Sequence, residues 1–357
     1  MVNRRNFLKL GALFGSQVFL GCSTTSDLNA LTDGRGMPLH HTKNGFQNYP
    51  TVPEPASLGV EFWYNRMKAS FKSYPIPEGY YLPEKKAIQH YENLKGQNTI
   101  TWIGQATFVL KIQNKVILTD PFFDNSVDPF GTVERFVPPG ITLENLPSID
   151  MIVISHNHRD HLSENVIDAL PNKNRIQVFV PLGMKPFFAE KGYSKIHELD
   201  WFESATVGSI RMTSLPAVHY SGRGIWDKNE TLWCSWAIES NTGSYFFSGD
   251  TAYSPTIFKR IGSEFGPFNL SMMTIGTYGN RKYGINNHAN PEEAITMGLE
   301  IKTDISVGMH WGTLDLSEEP PWEPPERFRV SAAKAGIQHE KTWIMKIGET
   351  RLLPMQK

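Results

Sequence analysis

Residues 155–162 read S-H-N-H-R-D-H-L, and three of these eight residues are histidines. The segment before them, 151–154, is apolar and mostly β-branched, which predicts a buried strand. The segment after them, 162–170, has the apolar spacing of a helix, and Ser163 is its expected N-cap. The sequence therefore predicts a tight loop between a strand and a helix, with the polar residues on the loop.

This loop carries four side chains that can bind a metal ion or a proton. Residues two apart on an extended chain point the same way, so His156 and His158 can reach one metal ion. The turn that follows re-aims Asp160 and His161, which can reach a second ion. So many metal-binding side chains in one loop between a strand and a helix predict a metal site rather than a structural cluster.

The overall composition indicates a globular protein and argues against several other classes. The chain has 357 residues, 40% of them apolar and 20% charged, which is typical of a globular protein. With 35 basic residues against 36 acidic ones, the formal net charge is -1, so no basic excess is available to bind nucleic acid. Two cysteines cannot form a disulfide framework, and no apolar run has the length that spans a membrane.

Residues 1–22 are predicted to be an export signal. Residues 3–9, N-R-R-N-F-L-K, resemble a twin-arginine signal, and residues 19–22, F-L-G-C, resemble a bacterial lipoprotein cleavage box. We therefore expect a periplasm-facing protein that is held at a membrane surface by an acylated Cys22. Ser23 is not the aspartate that usually retains lipoproteins in the inner membrane, which favours the outer membrane. The alternative is simple signal cleavage, with Cys22 as an ordinary cysteine.

Three regions follow the signal. Residues 23–55 are rich in Ser, Thr, Gly, Pro and Asn and are predicted to be a tether with little regular structure. Residues 56–97 are predicted to be an N-terminal helical extension, in which residues 60–71 have an amphipathic pattern. That helix either packs on the core or faces a membrane or the substrate. Residues 98–357 are the main domain.

The main domain contains many short strand-like runs with helical segments between them. A helix is predicted after Asn290, its N-cap, with Pro291 in the first turn. The predicted strands are 99–102, 106–112, 116–119, 151–154, 177–181, 206–214, 232–239, 244–248, 270–275, 304–309 and 343–347. This alternation predicts an α/β domain built in layers.

Three more candidate ligands each follow a strand-like run: His219, Asp250 and His310. With the four side chains of the first loop they complete a site for two ions. One ion would take His156, His158 and His219, and the other would take Asp160, His161 and His310, while Asp250 bridges both. Each ion would keep an open position, which is the mark of a catalytic rather than a structural metal site.

The order of these residues resembles the metallo-β-lactamase superfamily. Within it, the chain is similar to the N-acylphosphatidylethanolamine-hydrolysing phospholipase D family, from about residue 45 to the C-terminus. The stretches that carry this resemblance are 101–104, 118–121, 154–158, 249–251, 260–268, 290–293 and 310–313. The resemblance implies an αββα sandwich with two zinc ions between the edges of its sheets, although iron or manganese would tolerate the same ligands.

The resemblance also implies roles for residues outside the ligand set. Asp120 would support the metal-binding loop from behind the ligands, and His288 would lie near the substrate phosphate. One position departs from the family, because Gln105 stands where a histidine is usual. A glutamine can form hydrogen bonds but cannot carry a proton near neutral pH, so any proton-transfer role at that position is in doubt.

The function implied is a metal-dependent phosphodiesterase that acts on a membrane phospholipid. It would hydrolyse N-acylphosphatidylethanolamine to N-acylethanolamine and phosphatidic acid, with Asp160, Asp250 and His288 as catalytic residues. Asp160 can orient the attacking water or accept its proton. The alternatives are a lactonase or another hydrolase of the same fold, and a non-enzymatic metal-binding lipoprotein of the cell envelope. A homodimer is one of the assemblies left open.

Overall fold

The computed structural model describes residues 37–52, 60–61, 64, 73–128, 131–224 and 226–355. The predicted signal, Cys22, the first part of the tether and most of the predicted helix at 60–71 lie outside these residues. The chain divides into two compact units, Met1–His41 and Thr42–Lys357. In the first unit, a turn is closed by the hydrogen bond from the His41 amide to the Pro38 carbonyl, at 3.0 Å.

Sixteen strands and six α-helices are described. The helices are α1 (Glu84–Asn93), α2 (Glu164–Ala169), α3 (Lys185–Glu190), α4 (Pro255–Glu264), α5 (Pro291–Glu300) and α6 (Pro324–Lys334). The strands are β1 (His41–Thr42), β2 (Gly45–Phe46), β3 (Thr99–Gly104), β4 (Thr107–Ile112), β5 (Lys115–Thr119), β6 (Met151–Val153), β7 (Gln177–Pro181), β8 (Lys195–Leu199), β9 (Ser204–Val207), β10 (Ile210–Leu215), β11 (Ser235–Ser240), β12 (Gly243–Phe247), β13 (Phe268–Thr274), β14 (Thr303–Met309), β15 (Thr342–Trp343) and β16 (Thr350–Leu352). Three 3-10 turns lie at Leu143–Asn145, Gly279–Tyr283 and His339–Lys341.

Strands β3 to β16 form two mixed sheets of seven strands each. The first has the order β16-β3-β4-β5-β6-β7-β8, and the second has the order β15-β14-β13-β12-β11-β10-β9. Strands β5 to β8 are parallel to one another, and so are β12 to β15. Parallel neighbours bring their carboxyl ends to one edge of a sheet, which is where ligand sites of such folds are found.

Side chains alternate between the two faces of each sheet, and this alternation separates two apolar layers. On β4, Phe108 and Leu110 point into the core between the sheets, whereas Val109 packs on the opposite face. There Val109 joins residues of α1, α2 and α3, such as Tyr91 and Phe188. Helices α4, α5 and α6 cover the second sheet, with α5 packed on β13 and β14. The predicted αββα sandwich is confirmed.

The predicted strands agree with the structure except at the sheet edges. The run predicted at 206–214 is two strands, β9 and β10, because Gly208 turns the chain with a φ of +63°. Strands β16 and β8 lie at the two opposite edges of the first sheet and were not predicted. The run predicted at 343–347 pairs only at β15, with β14.

The two predicted N-caps are confirmed. The Ser163 hydroxyl accepts a hydrogen bond from the Val166 amide at the start of α2. Asn290 and Glu293 form a reciprocal capping box at the start of α5. Among the residues that the structure describes, none of the helices is both long and apolar enough to cross a membrane.

Candidate metal centre

The loop of residues 154–163 joins β6 to α2 and lies almost wholly buried. Its turn is closed by two hydrogen bonds to the His158 carbonyl, from the amides of His161 and Leu162 at 3.1 and 2.9 Å. This turn reverses the direction of the chain between His158 and His161. As predicted, the first two histidines and the last pair of ligand candidates therefore face different parts of the site.

The other three candidates come from loops of the second sheet. His219 follows β10, Asp250 follows β12 and His310 follows β14. The chain turns sharply at two of these points, because Gly249 has a φ of +53° and His310 a φ of +61°. A positive φ is uncommon for a residue with a side chain, and at His310 it aims the imidazole back into the site.

The first ligand group consists of His156, His158, His219 and Asp250, whose candidate atoms all lie within 4.8 Å of one another. The Nδ1 atom of His158 lies 2.8 Å from Nε2 of His156 and 3.2 Å from Nε2 of His219. The Oδ2 atom of Asp250 lies 3.8 Å from the His156 nitrogen and 3.7 Å from the His219 nitrogen. The structure therefore places the predicted ligands of the first ion together.

The second ligand group consists of Asp160, His161, Asp250 and His310. Asp250 Oδ2 lies 2.9 Å from Nε2 of His161 and 3.2 Å from Nε2 of His310. Asp160 Oδ2 lies 3.4 and 3.3 Å from the same two nitrogens. Asp250 thus belongs to both groups, in the position that a bridging carboxylate requires.

The geometry of both groups fits metal ions. Ring nitrogens face each other at 2.8 to 3.2 Å, and ligands of a tetrahedral ion with bonds of about 2.0–2.1 Å stand about 3.3 Å apart. The Oδ1 atom of Asp250 is buried and has no hydrogen-bond partner within the described residues. A buried carboxylate oxygen without a partner is costly unless a cation occupies the site.

Each ligand histidine but His158 is anchored through its other ring nitrogen. The Nδ1 atoms of these four histidines lie within hydrogen-bond distance of one oxygen each. The pairs are His156 with Ser155 Oγ at 2.9 Å, His161 with Asp120 Oδ2 at 2.7 Å, His219 with the Asn287 carbonyl at 2.8 Å, and His310 with Thr277 Oγ1 at 3.2 Å. Such contacts orient the ring and leave Nε2 free to bind a metal.

Asp120 connects the two ligand groups from behind. Its carboxylate accepts hydrogen bonds from the amide and the hydroxyl of Ser155, at 2.7 and 2.5 Å, and contacts Nδ1 of His161. Ser155 in turn contacts His156. Asp120 thus makes the contacts that a residue supporting the metal-binding loop needs. The supporting role itself stays a prediction.

The pKa values of the ligand histidines differ between the two groups, and both directions are compatible with metal binding. Burial lowers the pKa of His158 to about 3 and that of His219 to about 4, so both present a lone pair at neutral pH. Burial also opposes charge on His310, but Asp250 and Asp160 raise its pKa to about 9. The second group thus attracts a positive charge, which a metal ion would supply in place of a proton.

Gln105 and His288 both lie against the ligand groups. The Nε2 atom of Gln105 donates to Asp160 Oδ2 at 2.8 Å and lies 2.8 Å from Nε2 of His310. The residue that departs from the family pattern thus contacts two ligands of the second group. His288 Nε2 lies 3.9 Å from Asp250 Oδ2, and its Nδ1 is buried without a hydrogen-bond partner in the described part of the chain.

Asn48 and Tyr220 are two residues at the site that the sequence did not indicate. The Asn48 side chain donates to the His219 carbonyl at 2.8 Å and accepts from the His219 amide at 3.0 Å, which holds the backbone of a ligand. Asn48 belongs to the segment that was predicted to be a tether. The polar composition of that segment gives no sign that one of its residues contacts a metal-ligand candidate. Tyr220 packs its ring against His158 and His219, at 4.4 and 4.9 Å between centroids.

Known proteins resemble this chain in sequence. Residues 115–311 match the family described as the β-lactamase superfamily domain. An uncharacterised protein of Mycobacterium tuberculosis is 39% identical over 241 residues, which cover 65% of this chain and 63% of that protein. The match therefore spans less than two thirds of this relative's length.

One further relative and one solved structure are also similar to this chain. N-acyl-phosphatidylethanolamine-hydrolyzing phospholipase D 1 of Caenorhabditis elegans is 34% identical over 242 residues, which cover 64% of this chain and 68% of that protein. The solved structure of a metallo hydrolase from Ignicoccus hospitalis superposes with a TM-score of 0.55 at 19% identity, over 71% of this chain and 97% of that one. The chain belongs to the metallo-β-lactamase superfamily and, within it, resembles N-acyl-phosphatidylethanolamine-hydrolysing phospholipase D.

Proposed function

We propose that this protein is a zinc-dependent phosphodiesterase of the phospholipase D type. Its substrate would be N-acylphosphatidylethanolamine or a closely related glycerophospholipid, and its products N-acylethanolamine and phosphatidic acid. The likeness to the Caenorhabditis elegans phospholipase D over 64% of this chain supports this choice of reaction.

One observation carries the proposal: Asp250 is shared by two ligand groups, and His288 lies beside it. Two adjacent ions can clamp the oxygens of a phosphodiester during an in-line displacement. Five imidazoles and two carboxylates, all buried or half-buried, form a ligand set that suits zinc. When bound, the ions would supply Lewis acidity and lower the pKa of water toward about 7.

The protein's own residues position the reactants. Asp160 offers a carboxylate oxygen 3.3 Å from His310 Nε2, where it can orient the attacking water or accept its proton. Gln105 donates a hydrogen bond to that carboxylate and keeps it in place. The Nε2 atom of His288 faces the ligand groups, 3.9 Å from Asp250 Oδ2, so this ring can form a hydrogen bond with the phosphate or with the departing oxygen.

Hydrolysis in ¹⁸O-labelled water tests which bond is broken. Attack on phosphorus places the label in phosphatidic acid and releases unlabelled N-acylethanolamine. Mass spectrometry of the two product classes gives the answer, with protein stripped of metal by a chelator as the control. Label in a released fatty acid would mean attack on an acyl carbonyl, and opening of a lactone without lipid release would favour a lactonase. Either result would remove the phosphodiesterase proposal.

We also propose that the protein is exported by a twin-arginine route and held at the membrane, facing the periplasm, through an acylated Cys22. The sequence motifs of residues 3–9 and 19–22 support this proposal. Cys22→Ala is expected to abolish lipid attachment and the processing that depends on it. Metabolic labelling with a fatty acid and fractionation after a high-salt wash measure both effects. If the variant is processed and fractionates like the unaltered protein, the signal is simply cleaved and Cys22 is an ordinary cysteine.

A further inference from the structure

The loop of residues 221–229 follows Tyr220 beside the metal centre, and its two ends are hydrogen-bonded to each other. The Asn229 amide donates to the Ser221 carbonyl at 2.9 Å, and the Ser221 amide donates to Oδ1 of Asn229 at 3.2 Å. The Ser221 hydroxyl also donates to the Thr231 carbonyl at 2.6 Å. Residue 225 lies outside the described part of this loop.

The tip of the 221–229 loop is organised around Asp227. The carboxylate of Asp227 accepts hydrogen bonds from the amides of Arg223 and Gly224, at 2.8 and 2.7 Å. This side chain therefore fills the inside of the turn. Its neighbour Trp226 is left 87% exposed, more than any other large apolar side chain in the described part of the chain. This exposure is unusual for tryptophan, which is highly buried on average and carries a large apolar surface.

The loop is joined directly to the ligand loop of the first group. The Gly222 amide donates to Oδ1 of Asn157 at 2.7 Å, and the Arg223 guanidinium donates to the Asn157 carbonyl at 3.0 Å. Asn157 stands between His156 and His158 in the chain. Tyr220 is 39% exposed and packs on His158, so the 221–229 loop begins at the open side of the ligands.

Two exposed basic side chains belong to the 221–229 loop or contact it. Arg159 and Lys228 are exposed, and the Arg159 side chain donates to the Arg223 carbonyl at 3.1 Å. The negative charge of Asp227 is used by the backbone amides inside the turn. An amphipathic aromatic ring flanked by long basic side chains is typical of protein surfaces that rest at the headgroup level of a bilayer.

We propose that the 221–229 loop docks the mouth of the metal centre on a phospholipid bilayer, with Trp226 at the boundary between headgroups and acyl chains. The inference rests on the proposed function, because a phospholipid substrate presents its phosphodiester at that same depth. Docking through a loop that contacts Asn157 would bring the headgroup layer to the open side of His158. Arg159 and Lys228 would then contact lipid phosphates.

Bromolipid quenching tests the docking without any need for turnover. Full-length protein is mixed with phosphatidylcholine vesicles whose acyl chains carry bromine, and the loss of tryptophan fluorescence is compared between the unaltered protein and Trp226→Leu. The unaltered protein should lose an increment of fluorescence that the variant does not lose. An N-terminal anchor is common to both proteins, so the difference reports Trp226 alone. Equal quenching of the two proteins would overturn the proposal.

Kinetics on two physical forms of the substrate provide the second measurement. Trp226→Ser should raise KM for vesicle substrate about tenfold, the size expected from burying one large side chain, and leave kcat unchanged. Hydrolysis of a short-chain, monodisperse phospholipid should not change. Leu299→Ser is the matched control, since Leu299 is 53% exposed on α5 and should leave both substrates unaffected.

The remaining outcomes are distinguishable. An equal rise of KM for both substrates would make Trp226 part of the substrate pocket and overturn docking. A change of oligomeric state in Trp226→Ser without bromolipid quenching in the unaltered protein would assign the loop to a second copy of the chain, and would also overturn it. Quenching at Trp226 without hydrolysis of any phospholipid would leave docking standing while the proposed reaction fails.

Discussion

Asp250→Ala is expected to lower the rate of phospholipid hydrolysis by roughly 10³-fold and to reduce bound metal below two ions per chain. The reason is the position of Oδ2, which lies 2.9 Å from His161, 3.2 Å from His310, 3.7 Å from His219 and 3.8 Å from His156. The side chain is the negative charge that both ligand groups share. Without it, two positive ions would stand close together with less charge to offset their repulsion.

Elemental analysis of the purified variant, together with turnover of vesicle substrate, measures this prediction. Asp304→Ala is the matched control, because Asp304 lies on β14, in the sheet whose strand β12 precedes Asp250, and because it is exposed and pairs with Lys341 at 2.6 Å. The control should keep full metal content and activity. Circular dichroism shows whether both variants keep the fold. An Asp250→Ala protein that binds two ions and turns over normally would exclude Asp250 as the bridging ligand.

The seven ligand candidates could be predicted because their chemistry is local in the sequence. Four of them lie within six residues, and so dense a run between a strand and a helix is typical of a metal site. The other three each follow a strand-like run. Strands β12 and β14 belong to the parallel part of the sheet, and two antiparallel pairings give β10 the same direction as β12. The carboxyl ends of these three strands therefore lie at one edge, and the topology brings the loops together there. The alternation of the chain and the turn at His158 separate His156 and His158 from Asp160 and His161, so the division of the first loop between two ligand groups could also be predicted.

Contacts made through the backbone could not be predicted in the same way. Asn48 holds His219 through its main chain, 171 residues away in sequence, and nothing in the local composition marks it. Edge strands β8 and β16 were missed because their pairing depends on neighbours and their alternation is weak. The exposure of Trp226 depends on how Asp227 folds the loop, which is visible only in the structure.

The backbone at His288 and Ala289 is held by hydrogen bonds with Arg281 and Thr251, not with the side chain of a metal-ligand candidate. The Ala289 amide donates to the Thr251 carbonyl at 2.7 Å, and the Arg281 guanidinium donates to the His288 carbonyl at 2.6 Å. Arg281 also pairs with Glu293, the third residue of α5, which completes the capping box with Asn290. The imidazole itself reaches the site from the side, with its ring centroid 5.1 Å from those of His219 and His310. Removing that imidazole should therefore leave the ligand groups intact.

His288→Ala is expected to lower kcat by about 10²- to 10³-fold, the usual contribution of one group that transfers a proton or stabilises charge in the transition state. Metal content should remain at the level of the unaltered protein, because the Nε2 atom stands 3.9 Å from Asp250 and outside both ligand groups. His288→Gln keeps a hydrogen-bond donor and should recover part of the loss if the ring only binds the phosphate. No recovery would mean that a proton must move through the ring. If His288→Ala also loses metal, the residue is a ligand or a structural support, and the role in the reaction assigned to it is wrong.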